Sequence, residues 1–256
     1  MITPSHWKRC SCFVIAAVLI AAAVPAAAQN AESVEGLGPD RRDWELEYVG
    51  QFADANGSDD ERRHSGQSFY GVTDWLALGG ETRLGYRSGP LVAEDRLYFD
   101  YDSAVAILRF SRADEDPVGV GLWLQAGLDS DGEVARLEAR LIAEKKTVSW
   151  WAKANLIVRR VNEGAREGTH LAYAARLSHA VGNGIRLGIE ASGQPAELGG
   201  FHREGYERAH YFGPTVARDF GLGGDNRLWL EASWLRRLDR AEGVRNLFQL
   251  TAGLRF

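Results

Sequence analysis

The sequence has no cysteine beyond its first twelve residues and no long apolar run beyond its first thirty. Cys10 and Cys12 are the only cysteines in 256 residues. The rest of the chain therefore has no disulfide framework, no thiolate metal site and no thiol nucleophile. No later segment has the roughly 20 consecutive apolar residues of a spanning helix, so the remainder is either soluble or crosses a membrane by strands.

The first 28 residues have the organisation of a secretory signal peptide. Lys8 and Arg9 form a positive n-region, and Phe13–Ala23 is an apolar run of suitable length. This run is too short for a spanning helix, and the small residues up to Ala28 favour cleavage before Gln29. Both cysteines precede the run, so a lipoprotein anchor is not expected. We predict export with cleavage near Ala28.

Basic residues are outnumbered in the predicted mature chain. Without Lys8 and Arg9, 28 of the 30 basic side chains remain against 35 acidic ones, a net charge of −7. Nucleic acid is a poor partner for a protein this acidic. The sequence therefore predicts no nucleic-acid binding.

Motifs for catalysis, metal binding and cofactor binding are also missing. The histidines have neither metal-ligand spacing nor a nucleophile-elbow context. The glycine-rich stretch Gly221–Gly224 precedes a predicted strand and not a helix, so it does not read as a phosphate loop. We predict no catalytic residue, no metal and no cofactor, and do not expect an enzyme.

Alternating apolar and polar residues are the main signal in the sequence. From Phe248 to Phe256 every second residue is apolar, which is typical of a strand with two different faces. Strands are predicted at Trp44–Phe52, His64–Val72, Trp75–Tyr86, Arg96–Phe110, Val118–Leu128, Ala135–Leu141, Trp150–Arg159, His170–Ser178, Ile185–Ser192, Arg208–Phe220, Arg227–Arg236 and Arg245–Phe256. The second is short, and the register of Arg96–Phe110 and of Arg208–Phe220 is ambiguous.

Twelve segments of this length predict an all-β fold, an antiparallel transmembrane β-barrel, because a tilted strand crosses a bilayer in about 9 to 11 residues. Tight turns and longer connectors alternate, as in outer-membrane barrels. The tight turns are Thr73-Asp74, Glu144–Lys146, Val181–Gly184 and Leu222–Asp225, and the longer connectors include Ala53–Arg63 and Gln194–Glu207. We predict a signal peptide at 1–28, an N-terminal periplasmic segment at 29–42 and the barrel at 43–256. Residues 29–42 either plug the lumen or trail in the periplasm.

Aromatic residues near strand ends favour the bacterial outer membrane as the location. Such rings form the interfacial girdles of membrane barrels. They are Trp44, Trp75, Tyr86, Trp150, Tyr211, Trp234 and Phe256. The terminal Phe256 is also the residue type that the barrel-assembly machinery reads in a last strand. Expected partners are this machinery, outer-membrane lipid and lipopolysaccharide; Asn56–His64 either binds a cation or lipopolysaccharide phosphates or is a solvated loop.

The polar stripe of each strand is predicted to face the lumen, where water makes charges tolerable. In lipid each charge would cost about 2 to 4 kcal/mol at the midplane. The candidate pore-lining residues are Arg83, Arg136, Arg140, Lys153, Arg159, Arg176, Arg186, Glu190, Arg227 and Glu231. This stripe contains more cations than carboxylates. It forms either a basic track for anions or a ladder of ion pairs that fills a narrow lumen.

Most of the predicted mature chain resembles the outer-membrane barrels of the MetA-pathway phenol-degradation family. The resemblance is carried by Tyr70–Asp74, Trp150 with Asn155-Leu156 and Arg159-Arg160, Leu187–Glu190 and His210–Pro214. It implies a small barrel for uptake or export and no catalytic residue.

Two hypotheses follow from the sequence. The first is an outer-membrane channel for passive passage of small solutes, anions among them, through an arginine-rich lumen. The second is a structural or adhesive barrel with a closed, ion-paired lumen and functional loops. Cations without carboxylate partners would favour the first, and one-to-one pairing would favour the second.

Overall fold

The computed structural model describes residues 32–55, 60–88, 96–162, 168–198, 209–238 and 244–256. The predicted signal peptide lies outside these residues. Within them, no helix is long and apolar enough to cross a membrane.

The described residues form twelve antiparallel strands in one closed barrel, as the alternation predicts. The strands are β1 (Trp44–Ala55), β2 (Asp60–Gly71), β3 (Leu76–Ser88), β4 (Arg96–Arg109), β5 (Gly119–Leu128), β6 (Val134–Lys146), β7 (Trp150–Val161), β8 (Gly168–Gly182), β9 (Ile185–Leu198), β10 (Ala209–Gly223), β11 (Asn226–Arg237) and β12 (Val244–Arg255). Each pairs with its neighbours in sequence, and β1 pairs with β12. Closure leaves no free strand edge.

Several strands extend further than the sequence suggested. Lys145 and Lys146 belong to β6 and not to a tight turn, and the turn to β7 is formed by residues 147–149. The connectors predicted at Ala53–Arg63 and Gln194–Glu207 are likewise partly strand, and β2 is a full strand of 12 residues. The alternating pattern weakens where charged residues enter it, so these boundaries were wrong.

Tight turns gather at one end of the barrel, here called the short-turn end. Residues 72–75, 147–149, 183–184 and 224–225 lie there, with both Trp44 and Phe256. Asn183 and Gly184 both have positive φ, 51° and 72°, which suits a two-residue hairpin turn of type I′. The short-turn end is also where the N-terminal segment enters the barrel.

The outer face carries the apolar stripes. Leu141, Leu156 and Ile189 are each about half exposed, as are the strand-end residues Trp150 and Trp234. Tyr211 is an exception to the predicted girdle. It is only 1% exposed and lies on the inner face, because β10 has the register that places its odd-numbered residues inside.

The N-terminal segment Glu32–Asp40 lies inside the barrel, which answers the question that the sequence left open between plugging and trailing. It runs from the short-turn end, where Arg41 forms a parallel bridge with Gly71, up to Arg159 in β7. Glu32, Val34, Glu35 and Leu37 are all less than 8% exposed. The described part of the segment therefore occupies one side of the lumen.

Candidate functional site

All ten candidate pore-lining residues have side chains on the inner face of the barrel. Their strand positions alternate with the lipid-facing residues, and the register of neighbouring strands keeps them in line. The structure brings them into four separate groups. Their predicted role in passing a solute stays a prediction.

The first group is small and lies on β3. Arg83 Nη2 is 2.8 Å from Glu81 Oε1, and Gln125 of β5 donates to the other oxygen of Glu81 at 2.6 Å. The guanidinium of Arg83 also lies 5.0 Å from the ring centre of Tyr101. Arg83 is thus paired with Glu81 and stacked on Tyr101 at the inner face of the barrel.

The second group gathers three predicted arginines around one carboxylate, Glu138 of β6. Arg136 Nη2 is 2.6 Å, Arg140 Nη2 is 2.7 Å and Arg159 Nε is 2.7 Å from its oxygens. The four side chains lie on neighbouring strands because Glu138 pairs with Arg159 in the β6–β7 register. Three buried guanidinium groups around one carboxylate leave a net positive charge, which further carboxylates must compensate.

That acid comes from the N-terminal segment. Arg159 Nη1 donates to Glu32 Oε1 at 2.6 Å, and its Nη2 donates to Glu32 Oε2, forming a bidentate pair. Arg140 Nη1 lies 3.7 Å from Glu35 Oε1. Burial alone would raise the pKa of Glu32, but Arg159 outweighs it and lowers that pKa to about 2.

Backbone contacts hold the segment along its length. The amide of Asn155 accepts from the N–H of Glu35 at 2.7 Å and donates to the carbonyl of the same residue at 3.1 Å. Nearer the short-turn end, Arg109 donates to the carbonyls of Leu37, Gly38 and Pro39. These bonds satisfy backbone groups that would otherwise be buried without partners.

An apolar patch of the inner wall receives Leu37. It lies where the polar-inside pattern is interrupted on β2–β6. The residues that form one buried cluster with Leu37 are Phe69, Ala77, Val105, Ile107, Trp123 and Ile142. Beside them, Gly119 and Gly121 leave room for the leucine, because a Cβ there would approach its methyl carbons to 2.8 and 2.7 Å. The segment therefore has a shaped seat in the lumen.

The third group lies on β8, β9 and β11. Arg176 of β8 donates to Glu190 at 2.6 Å and to Glu231 at 2.6 Å, and Ser233 donates to Glu190 at 2.9 Å. The Arg176 side chain is only 10% exposed and that of Glu190 is fully buried. These predicted residues form a local ion-pair network.

The fourth group lies closer to the short-turn end and is rich in cations. Arg186 binds Asp219, from which Arg227 is 3.8 Å away. Lys153 lies 4.6 Å and Arg186 4.5 Å from the ring centre of Trp151. Among the described contacts, Lys153 is within ion-pair distance of no carboxylate.

Two members of this fourth group were not identified from the sequence. Lys146 lies 5.2 Å from the ring centre of Trp151, whose indole N–H donates to Glu144 at 2.6 Å. Lys146 was assigned to a turn, and Asp219 lies on β10, whose register was ambiguous. Extending the alternation from Glu138 by even steps to Lys146 would have found the lysine.

A cavity of about 200 Å³ separates the N-terminal segment from the opposite wall. Residues 33–38 of the segment line one side, and inward side chains of β1, β2 and β4–β12 line the rest. Charged residues from the third and fourth groups face it. They include Lys146, Lys153, Arg176, Arg186, Arg227 and Glu231.

No metal site is found in the part of the chain that the structure describes: it contains no cluster of three or more His, Cys, Asp or Glu side chains suited to a metal ion. His64 instead bonds to the Tyr48 hydroxyl at 2.6 Å, and His210 to the Tyr173 hydroxyl at 3.0 Å. Both pairs lie on the outer face.

Comparison with solved structures gives the same fold. An outer membrane channel from Pseudomonas putida F1 superposes with a TM-score of 0.54 at 18% identity, over 89% of this chain and 99% of that chain. The NanC porin superposes with a TM-score of 0.51 at 7% identity, over 82% of this chain and 98% of that chain. No protein-family description and no curated protein matches the sequence. The likeness is one of fold, that of an outer-membrane β-barrel.

Proposed function

We propose that this protein is an outer-membrane channel for passive passage of small polar solutes, with a preference for anions. The observation that carries the proposal is the cavity beside the N-terminal segment and the cationic group that faces it. Near Trp151, four cations (Lys146, Lys153, Arg186 and Arg227) outnumber the two carboxylates Glu144 and Asp219, whereas the whole lining of the cavity holds eight basic and eight acidic residues. A surplus of positive charge in a confined polar path concentrates anions.

The aromatic ring of Trp151 lies beside three of these cations, Lys146, Lys153 and Arg186. Cations above an aromatic face are attracted by its quadrupole and keep part of their charge available to a solute. Lys146 and Lys153 both use this ring. They are therefore the side chains that we expect to meet a passing anion first.

The two compared structures support a channel function, because the Pseudomonas putida F1 protein is an outer membrane channel and NanC is a porin. We extend this property, and the outer membrane as location, to the present chain. Membership of the MetA-pathway phenol-degradation family, cleavage of a signal peptide, contact with lipopolysaccharide and recognition of Phe256 by the assembly machinery stay predictions.

A structural barrel with a closed lumen is the second candidate. It is favoured by the pairing of Arg83, Arg136, Arg159, Arg176 and Arg255 with carboxylates. Such a lumen would be supported by its ion pairs and would pass nothing. Any function would then lie in the loops.

Planar-bilayer conductance, measured in a salt gradient, separates the two candidates. We expect anion-selective conductance from the refolded protein and a shift towards cations in a Lys146→Gln, Lys153→Gln double variant. Lys145→Gln is the matched control, since Lys145 neighbours Lys146 but points to the outer face and bonds to the Asp116 carbonyl. A folded barrel without conductance would exclude the channel, and equal selectivity in all variants would exclude the lysines as its cause.

A further inference from the structure

The N-terminal segment brings to the lumen the acid that the wall lacks. In the second group the wall contributes three guanidinium groups, Arg136, Arg140 and Arg159, and one carboxylate, Glu138. Three positive charges and one negative charge leave a net charge of +2. The segment supplies the two missing negative charges through Glu32 and Glu35.

The geometry at Glu32 is that of a carboxylate ligand in an arginine site. Both of its oxygens face Arg159, and Arg140 Nη2 lies 3.9 Å away. Bidentate pairing of this kind is the usual way in which arginine recognises a carboxylate. The Nε of Arg136, a residue 8% exposed, makes no hydrogen bond to the described residues and offers one more donor.

Removing the segment alone would leave buried positive charges uncompensated, which is unfavourable. Replacing its carboxylates with those of a solute preserves the charge and the carboxylate hydrogen bonds of Arg159. Exchange is therefore much easier than simple departure. The cavity places a solute directly against residues 33–38 of the segment, while Arg140 and Arg159 lie outside its lining and become accessible when the segment moves aside.

We propose that Arg140 and Arg159 form a binding site for small dicarboxylates, which Glu32 and Glu35 occupy in the absence of solute. The segment acts as a tethered competitor that an incoming dicarboxylate displaces. This inference deepens the proposed channel function and rests on it for its physiological meaning. The binding site itself is tested without any transport.

Glutarate is a suitable probe, and glutaramide is its neutral control. Binding to the full protein in detergent is measured by isothermal titration calorimetry. We expect the Glu32→Gln, Glu35→Gln double variant to bind glutarate at least about tenfold more tightly than the unchanged protein, because a tethered competitor acts at millimolar effective concentration. Glu115→Gln, on an exposed side chain, is the matched control.

Adding Arg159→Gln to the double variant should abolish this binding. Equal affinity in the double variant and in the unchanged protein would overturn the proposal, as would persistence of binding without Arg159. If the double variant does not fold, hydrogen exchange of residues 32–40 in the unchanged protein decides. Faster exchange with glutarate but not with glutaramide supports displacement, and no change refutes it.

Conductance distinguishes failure of this site from failure of the channel. Glutarate binding without conductance in any variant would support the site and exclude the channel. Anion-selective conductance without glutarate binding would support the channel and refute the site.

Discussion

A Cβ atom at Gly121 would lie 2.7 Å from Cδ2 of Leu37, so the glycine of β5 and the leucine of the N-terminal segment are sterically complementary. Two carbon atoms that are not bonded to each other do not approach this closely, so one side must move. The segment is held at one side of the lumen by this fit together with the arginine pairs. Its seat is therefore open to direct test.

We expect Gly121→Ala to loosen the segment. The added methyl group competes with Leu37 for one space, and it also meets the Leu108 carbonyl oxygen at 2.8 Å. Hydrogen exchange of residues 34–40 should become faster, and conductance should rise. The control is Gly66→Ala, since a Cβ at Gly66 has no atom within 4 Å. Unchanged exchange in Gly121→Ala would show that the seat is not close-packed.

Leu37→Ala tests the apolar part of the same seat. Truncating a buried leucine costs about 2 to 5 kcal/mol, and here the loss falls on docking of the segment. Exchange of the segment should accelerate while the barrel keeps its unfolding midpoint. In the Gly121→Ala, Leu37→Ala double variant, the acceleration of exchange should be smaller than the sum of those in the two single variants. The reason is that the added methyl group fills part of the space that the truncated leucine leaves. Leu238→Ala, at a 64% exposed position, is the control.

The barrel could be predicted from the sequence, because lipid and lumen impose opposite polarity on successive residues. The alternation from Phe248 to Phe256 shows this directly. The same alternation on β6 and β8 identified Arg136 and Arg176 as inward residues. It failed where both faces have similar polarity. Tyr211 is apolar and inside, and Lys146 continues β6 beyond the apolar stripe.

Docking of the N-terminal segment could not be predicted in this way. Residues 32–40 have no strand period, and their hydrogen bonds to the barrel wall lie about 70 to 127 positions away along the chain, from Arg109 to Arg159. Which arginine meets which carboxylate depends on shear and register between strands. The sequence gives the composition of the lumen but not these pairings.

Acid should release the upper part of the segment. The pKa of Glu32 is lowered from 4.5 to about 2, because Arg159 outweighs the effect of burial. A carboxyl whose pKa falls on docking stabilises the docked state fully above pH 4.5, and this contribution is lost as the pH falls from about 4.5 through 2. Hydrogen exchange or protease access at residues 32–36 should therefore rise over this range.

The Glu32→Gln variant is the comparison for this pH dependence. It lacks the titrating group, so its segment should already be loose at neutral pH and should change less on acidification. An equal acid response in both proteins would assign the effect to other carboxyl groups. Glu35 is the first to consider, since it also faces Arg140.

Arg176→Gln should destabilise the barrel more than any comparable change on its outer face. The arginine lies between Glu190 and Glu231, and its loss would leave two carboxylates together on the inner wall, where Ser233 donates to Glu190. Removing one partner of a buried ion pair typically costs about 3 to 5 kcal/mol.

The measurement is urea unfolding of the refolded protein in lipid vesicles. Arg218→Gln is the matched control, because Arg218 lies on β10 with its side chain on the outer face, stacked 4.8 Å from the centre of Phe220. We expect a clearly lower midpoint for Arg176→Gln and a small change for Arg218→Gln. Similar midpoints would mean that water in the lumen already screens Glu190 and Glu231. In that case Arg176, Glu190 and Glu231 are solvated residues that line the lumen, and their ion pairs do not stabilise the barrel.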